Sequence, residues 1–202
     1  MQIESKKDRI AEAALIAFGR YGYKKTSMQD IAEQAGMSRP ALYQYYANKE
    51  KMFVGLVEKM FQRASEAAAP KWDVASDNML EVLTEAVLAY EITLFEPVLK
   101  TARGIELIEL AQQLTPERMQ EGREYLQAKI VATLTRAEQQ GQIDVSSLTT
   151  SLDEIAVLLL HGITGIKFSI TSTDELARQT RLLFQLVWHG IDVAEQPSKV
   201  VS

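Results

Sequence analysis

Cysteine is absent from the 202-residue chain, histidine occurs only as His161 and His189, and proline occurs five times. Without cysteine there are no disulfides, thiolate zinc sites or cysteine nucleophiles. Two histidines are too few for most metalloenzyme designs, so the sequence asks for no metal and no cofactor. The longest near-apolar stretch, Ile155 to Ile166, stops well short of the ~20 residues that a spanning helix needs, and Met1 to Asp8 has no apolar centre of a secretory signal. The expectation is a soluble, cytoplasmic protein that neither crosses nor binds a membrane.

Net charge is −5, but its distribution says more than its sum. Residues 1–53 carry nine basic and six acidic side chains, net +3, while the remainder carries 13 basic and 21 acidic ones, net −8. A basic head on an acidic body predicts that the head meets a polyanion.

Apolar residues recur at helical spacing throughout, and no stretch alternates with the period of a strand. About nine helices are predicted. Ile10, Ala13, Ala14, Ala17, Phe18 and Tyr21 mark the first, with Gly19 and Gly22 loosening its end. Met28, Ile31, Ala32 and Ala35 mark the second, with Thr26 and Gln29 as its capping box and Gly36 as its left-handed stop. Ser38 caps a short third helix that tolerates Pro40 in its first turn. A long fourth helix begins at Asn48 and is closed by Pro70. The fifth is predicted from Ser76 to Phe95, with Pro97 opening the sixth. Thr115-Pro116-Glu117 starts a seventh that ends at Gly141, and the last two are capped near Thr150 or Ser151 and near Ser172. The polar tail after Asp192 is expected to fray.

Residues 27–46 are two short helices around Gly36, the layout of a helix-turn-helix. Ile31, Ala32, Met37, Leu42 and Tyr46 would form the small core behind it. Arg39, Pro40, Ala41, Tyr43 and Gln44 would then face outward, with Tyr45 on the flank. That face suits a major groove: Arg39 fits a guanine edge, Gln44 an adenine edge, and Pro40 with Ala41 a thymine methyl. Thr26, Ser27, Tyr43, Lys49 and the amides at the starts of the second and fourth helices would hold phosphates, and Ser38 at the start of the third counts among the DNA-binding candidates.

These stretches carry a resemblance. Ala14-Leu15-Ile16-Ala17-Phe18, Gly22-Tyr23, Thr26 to Ala32, Ala35-Gly36-Met37-Ser38, Leu42 to Tyr46 and Asn48-Lys49-Glu50 resemble the DNA-binding head of the TetR (tetracycline repressor) family of bacterial transcription regulators. The resemblance implies an all-α protein. A three-helix head at 4–64, with its helix-turn-helix at 27–46, would join a helical ligand-sensing and dimerisation body at 65–195. It also implies a homodimer on double-stranded, palindromic DNA that answers to a small-molecule effector the sequence does not name. By family position, phosphate holding falls on Thr26, Tyr43 and Lys49, and base reading on the Arg39 to Tyr45 face. Tyr46 stands where Phe is usual, and Ala41 where Gly, Ser or Thr is frequent.

In the body, Ile155 to Ile166 is apolar nearly all round a helix and must be covered on every side. With the last helix it predicts a four-helix dimer seam of Leu158, Gly162, Gly165, Ile166, Leu183 and Val187, the glycines allowing close approach. Met60, Phe61, Tyr90, Phe95, Arg103, Met119, Tyr125 and His161 are the candidate ligand residues. A helix-turn-helix protein without an inducer is the nearer alternative, and an all-helical enzyme the more distant one. The enzyme would want paired acids, but Asp153-Glu154 and Asp174-Glu175 both sit where helix starts favour acids.

Overall fold

The computed structural model describes residues 6–146 and 148–193. The outer edges of both expected domains (residues 4–5 and 194–195) and most of the polar tail lie outside the described residues.

Nine helices follow one another among the described residues. They are α1 (Lys6–Tyr21), α2 (Met28–Gln34), α3 (Arg39–Tyr43), α4 (Lys49–Trp72), α5 (Met79–Leu99), α6 (Gly104–Leu114), α7 (Pro116–Gln139), α8 (Leu152–Lys167) and α9 (Thr173–His189). The all-α expectation holds. Two proline readings do not, because Pro70 and Pro97 lie inside α4 and α5. Each stands in its helix's last turn, where a proline forfeits one backbone bond with little chain left to disrupt. Lys100 N still donates to the Glu96 carbonyl at 3.2 Å, and α6 opens later, at Gly104. The start of α5 also shifts, from Ser76 to Met79, since Asn78 caps it by accepting from Glu81 N at 3.1 Å.

The chain forms two compact units, Met1–Ser65 with Thr93–Gly122, and Glu66–Ile92 with Arg123–Ser202. In the first, α1 packs on α2 and α2 on α3. Ile10, Ala14, Phe18, Ile31, Ala32 and Leu42 are all buried. Phe18, Phe53 and Tyr23 close a three-ring cluster with centroids 5.4–5.6 Å apart. Small side chains set the approach of neighbouring elements: a Cβ on Gly19 would strike Thr101, and one on Gly55 the ring of Tyr46.

In the second unit, α8 packs on α9. Leu159, Ile163, Leu176 and Phe184 are buried, and Gly162 lies against Leu183. Arg136 donates to the carbonyls of Trp72 (2.8 Å) and Val74 (3.1 Å), holding the link between α4 and α5. Buried Glu91 is paired with Lys167 at 3.0 Å. The turn after α7 is closed at Gly141 (φ +70°), whose N–H donates to Glu138 while Gln142 N–H donates to Ala137, both at 2.9 Å. The chain beyond α9 returns to this turn: Asp144 N–H donates to Ile191 at 2.8 Å, and Val193 N–H to Gln142 at 3.2 Å.

Candidate nucleic-acid interface

The turn between α2 and α3 is set by Gly36. Its N–H donates to Glu33 (3.0 Å), that of Met37 donates to Ala32 (2.9 Å), and its φ is +65°. Two reversed bonds with a left-handed residue between them stop a helix and turn the chain, and only glycine takes that φ without strain. Arg9 of α1 reinforces the turn by donating to the Ala35 carbonyl at 3.1 Å. Ile31, Ala32 and Leu42 are fully buried behind the turn, while Met37 and Tyr46 are half-buried.

The capping box of α2 lies one residue later than expected. Ser27, not Thr26, is the N-cap, and Asp30, not Gln29, is its partner. Ser27 N–H donates to Asp30 Oδ2 at 2.7 Å, and Ser27 Oγ accepts from Asp30 N at 3.2 Å. The Ser27 amide and hydroxyl hold the Asp30 carboxyl below its ordinary range. Gln29 instead donates to Glu33. Thr26 is taken by the loop: it is 2% exposed, and its hydroxyl proton lies between the carbonyls of Gly22 (2.8 Å) and Ala17 (3.2 Å).

Lys49 is also turned inward. Its ammonium donates to the carbonyls of Tyr23 (2.8 Å), Thr26 (2.9 Å) and Lys24 (3.3 Å), and lies 4.6 Å from the Tyr23 ring centroid. Its three protons are thus spent on closing the loop between α1 and α2. Burial raises the pKa of Tyr23, with the Glu50 charge adding to it. Lys24 and Lys25 count in the sequence only among the charges of the head. Both are exposed on the clamped loop, and their signal was a basic pair directly after Gly22-Tyr23.

On α3, Ser38 caps by accepting from Ala41 N at 3.3 Å. Arg39, Pro40, Tyr43 and Gln44 are exposed, and Ala41 and Tyr45 half-buried. Arg39 Nη2 donates to Tyr43 Oη at 3.3 Å, with the guanidinium 5.5 Å from the ring centroid. The pair forms one flat cationic surface on an otherwise neutral helix.

The candidate ligand residues separate. Met60, Phe61, Phe95 and Met119 line one apolar cavity of the first unit. Tyr90 and Tyr125 belong to the second unit, where their rings stack 5.7 Å apart. Arg103 is exposed and paired with Glu106, and His161 is exposed on α8. Among the candidate seam residues, Leu158 is 57% exposed, Gly165 faces open space, Gly162, Ile166 and Val187 are half-buried, and Leu183 is half-buried against Gly162. Leu182 (50%), Leu186 (66%) and Phe168 (80%) extend the exposed apolar area beyond the six named from sequence. The acids at the helix starts are caps: Glu154 accepts from the Ser151 amide at 2.9 Å, which holds its carboxyl below the ordinary range, and Glu175 N–H donates to Ser172.

A short exposed helix set by a glycine turn on a three-helix head defines a helix-turn-helix protein. Residues 10–56 match the family described as bacterial regulatory proteins, tetR family, so this segment is similar to that family's head. The HTH-type transcriptional regulator YfiR of Bacillus subtilis is 26% identical over 141 residues, covering 68% of this chain and 66% of that one. YhgD of the same organism is 38% identical over 74 residues, 35% and 38% of the two chains. The chain thus spans between about two fifths and two thirds of these curated relatives. The crystal structure of the TetR family regulator PfmR from Thermus thermophilus superposes with a TM-score of 0.67 at 21% identity, over 90% of this chain and 98% of that one, which establishes the fold. The family matched at the head is one of DNA-binding regulators, not enzymes. No described helix is long and apolar enough to cross a membrane.

Proposed function

We propose that the chain is a cytoplasmic transcription regulator, a repressor that binds a palindromic operator as a homodimer and releases it on binding a small molecule. The observation that carries this reading is the exposed Arg39, Pro40, Tyr43 and Gln44, flanking a half-buried Ala41, on a helix whose opposite side, Leu42, is fully buried. A protruding helix of this kind fits a major groove, with Arg39 suited to guanine and Gln44 to adenine. On this reading Ser27, Ser38, Tyr43 and Tyr45, together with Lys24 and Lys25, meet the DNA backbone. Thr26 and Lys49 support the loop that presents the two lysines.

The functional division we infer is a reading head at 4–64 and a sensing and dimerising body at 65–195. The exposed Leu158, Leu182 and Leu186 support a seam with a second copy of the chain across α8 and α9, since large exposed apolar areas mark interfaces. The test is fluorescence anisotropy on labelled duplex across a salt series. Binding whose logarithm falls linearly with log salt, and whose sequence preference relaxes in Arg39→Ala, is the expected result. Salt-independent binding, or none at low salt, refutes the reading.

A further inference from the structure

The first unit holds an apolar pocket, partly open to the surface, that the helix-turn-helix does not use. Its walls include Leu15 of α1, Met60 and Phe61 of α4, Phe95 of α5, Ile108 of α6 and Met119 of α7. Every lining side chain is aliphatic, aromatic or thioether, so these side chains offer an occupant neither a charge nor a strong hydrogen bond. Its free volume is about 80 Å³. That is less than the roughly 150 Å³ with which an engineered apolar cavity holds benzene, so a ring or alkyl chain enters only by moving side chains. Met60 and Met119, unbranched and half-buried, are the walls most able to yield.

A second cavity of about 190 Å³ shares Leu15, Leu56 and Met60 with the first and is edged by Glu12, Lys59 and Arg63. The charges there are already matched. Lys59 lies 2.8 Å from Asp8, and Arg63 lies 3.4 Å from Asp8 and 3.0 Å from Glu12. A carboxylate ligand would have to take a cation from these acids, and an ammonium would have to take an acid from these cations. Either leaves a partly buried charge without its partner. An uncharged molecule breaks no pair.

We propose that the effector is an uncharged, apolar small molecule of one or two rings or a medium alkyl chain, held in this cavity against Leu15 of the head's own first helix. This deepens, and rests on, the reading of the chain as a ligand-responsive regulator. Because α1 packs on α2 and α2 on α3, an occupant that displaces α1 acts on the recognition helix within one unit. It needs no long lever through α4.

The test uses the full chain and the uncharged two-ring fluorescent probe 6-propionyl-2-(dimethylamino)naphthalene, displaced by 1-octanol, octanoate or octylammonium. DNA affinity is read in parallel on a duplex selected from a random pool. Octanol should displace the probe at least about tenfold more effectively than either ion, a difference of ~1.4 kcal/mol. Met60→Trp and Met119→Trp, which fill the cavity from half-buried positions, should each weaken probe binding about fivefold or more with circular dichroism unchanged. Saturating octanol should weaken duplex binding about threefold or more. Equal or better displacement by either ion, wild-type probe affinity in both tryptophan variants, or unaltered duplex binding at saturating octanol overturns the proposal. Failure to bind any duplex counts against the regulator reading instead, and the displacement series still decides the cavity's preference.

Discussion

In the head, polar side chains turn inward: Thr26 spends its proton on two carbonyls, and Lys49 spends all three of its own on the same loop. On α8 and α9, apolar side chains turn outward, Leu158, Leu182 and Leu186 each at least half exposed. Both depart from ordinary burial, and they have different causes. An inward polar group that finds its partners is architecture, because a buried donor costs ~1–3 kcal/mol only when unpaired. An outward leucine stripe has no cover among the described residues, and a second copy is what we propose covers it. Residue type alone does not separate the two cases, since a lysine beside a helix-turn-helix reads as a phosphate contact until its bonds are known.

The largest effect is expected at the outward stripe. Leu158→Lys combined with Leu186→Lys should weaken a dimer at least about a hundredfold, since each buried leucine contributes ~1.5–3 kcal/mol. Helicity should stay intact because both positions are exposed in the single chain. Sedimentation velocity reads this out, and a wild type that is already monomeric at micromolar concentration breaks the comparison. Next come the inward groups. Lys49→Met should lower unfolding stability by ~1–3 kcal/mol through its lost carbonyl bonds. Lys24→Ala and Lys25→Ala should leave stability within ~0.5 kcal/mol while reducing the salt slope of DNA binding by up to ~0.9 each. Denaturant titration and anisotropy together separate clamp from contact. On the recognition face, Arg39→Ala should cost ~1–3 kcal/mol at one base pair of each half-site and little on random DNA.

The smallest effect concerns pH. The Asp30 and Glu154 carboxyls are held below their ordinary range by their capping partners. Their contribution is therefore present above the unfolded carboxylate pKa of about 4 and is lost as pH falls through the lower folded values. Asp30→Asn and Glu154→Gln, which remove the titrating groups while the Ser27 and Ser151 amides stay in place, should each flatten the acid limb of a stability–pH curve. An unchanged limb would show that these exposed caps contribute nothing measurable.

Much of this was legible in the sequence because its signals are local. Gly36, Ser38, Ser151, Ser172 and Gly141 each act within a few residues, and the structure places caps and turns at all five. Local signals mislead in two ways. Pro70 and Pro97 resemble boundaries in sequence, yet a proline in a last turn sacrifices too little to end a helix. Thr26 and Ser27 are both N-cap residue types, and only the loop geometry shows that Thr26 is drawn inside and Ser27 caps. The candidate ligand set mixed two environments for a related reason. Helical periodicity marks Met60, Phe61, Tyr90, Phe95, Met119 and Tyr125 alike as inward, but which of them share a cavity depends on how long helices pack, and that is not a local property.

The central claim, that α3 reads DNA as one half of a symmetric pair, is tested most directly by selecting duplexes that bind the full chain from a random-sequence pool, with Arg39→Ala carried in parallel. The account predicts that the wild type enriches an inverted repeat with half-sites separated by about one helical turn or a small multiple, ~34–36 Å per turn. It also predicts that Arg39→Ala retains the symmetry while losing preference at one base pair per half-site. Enrichment of no sequence, of a single unrepeated element, or of the same site by both proteins would contradict it.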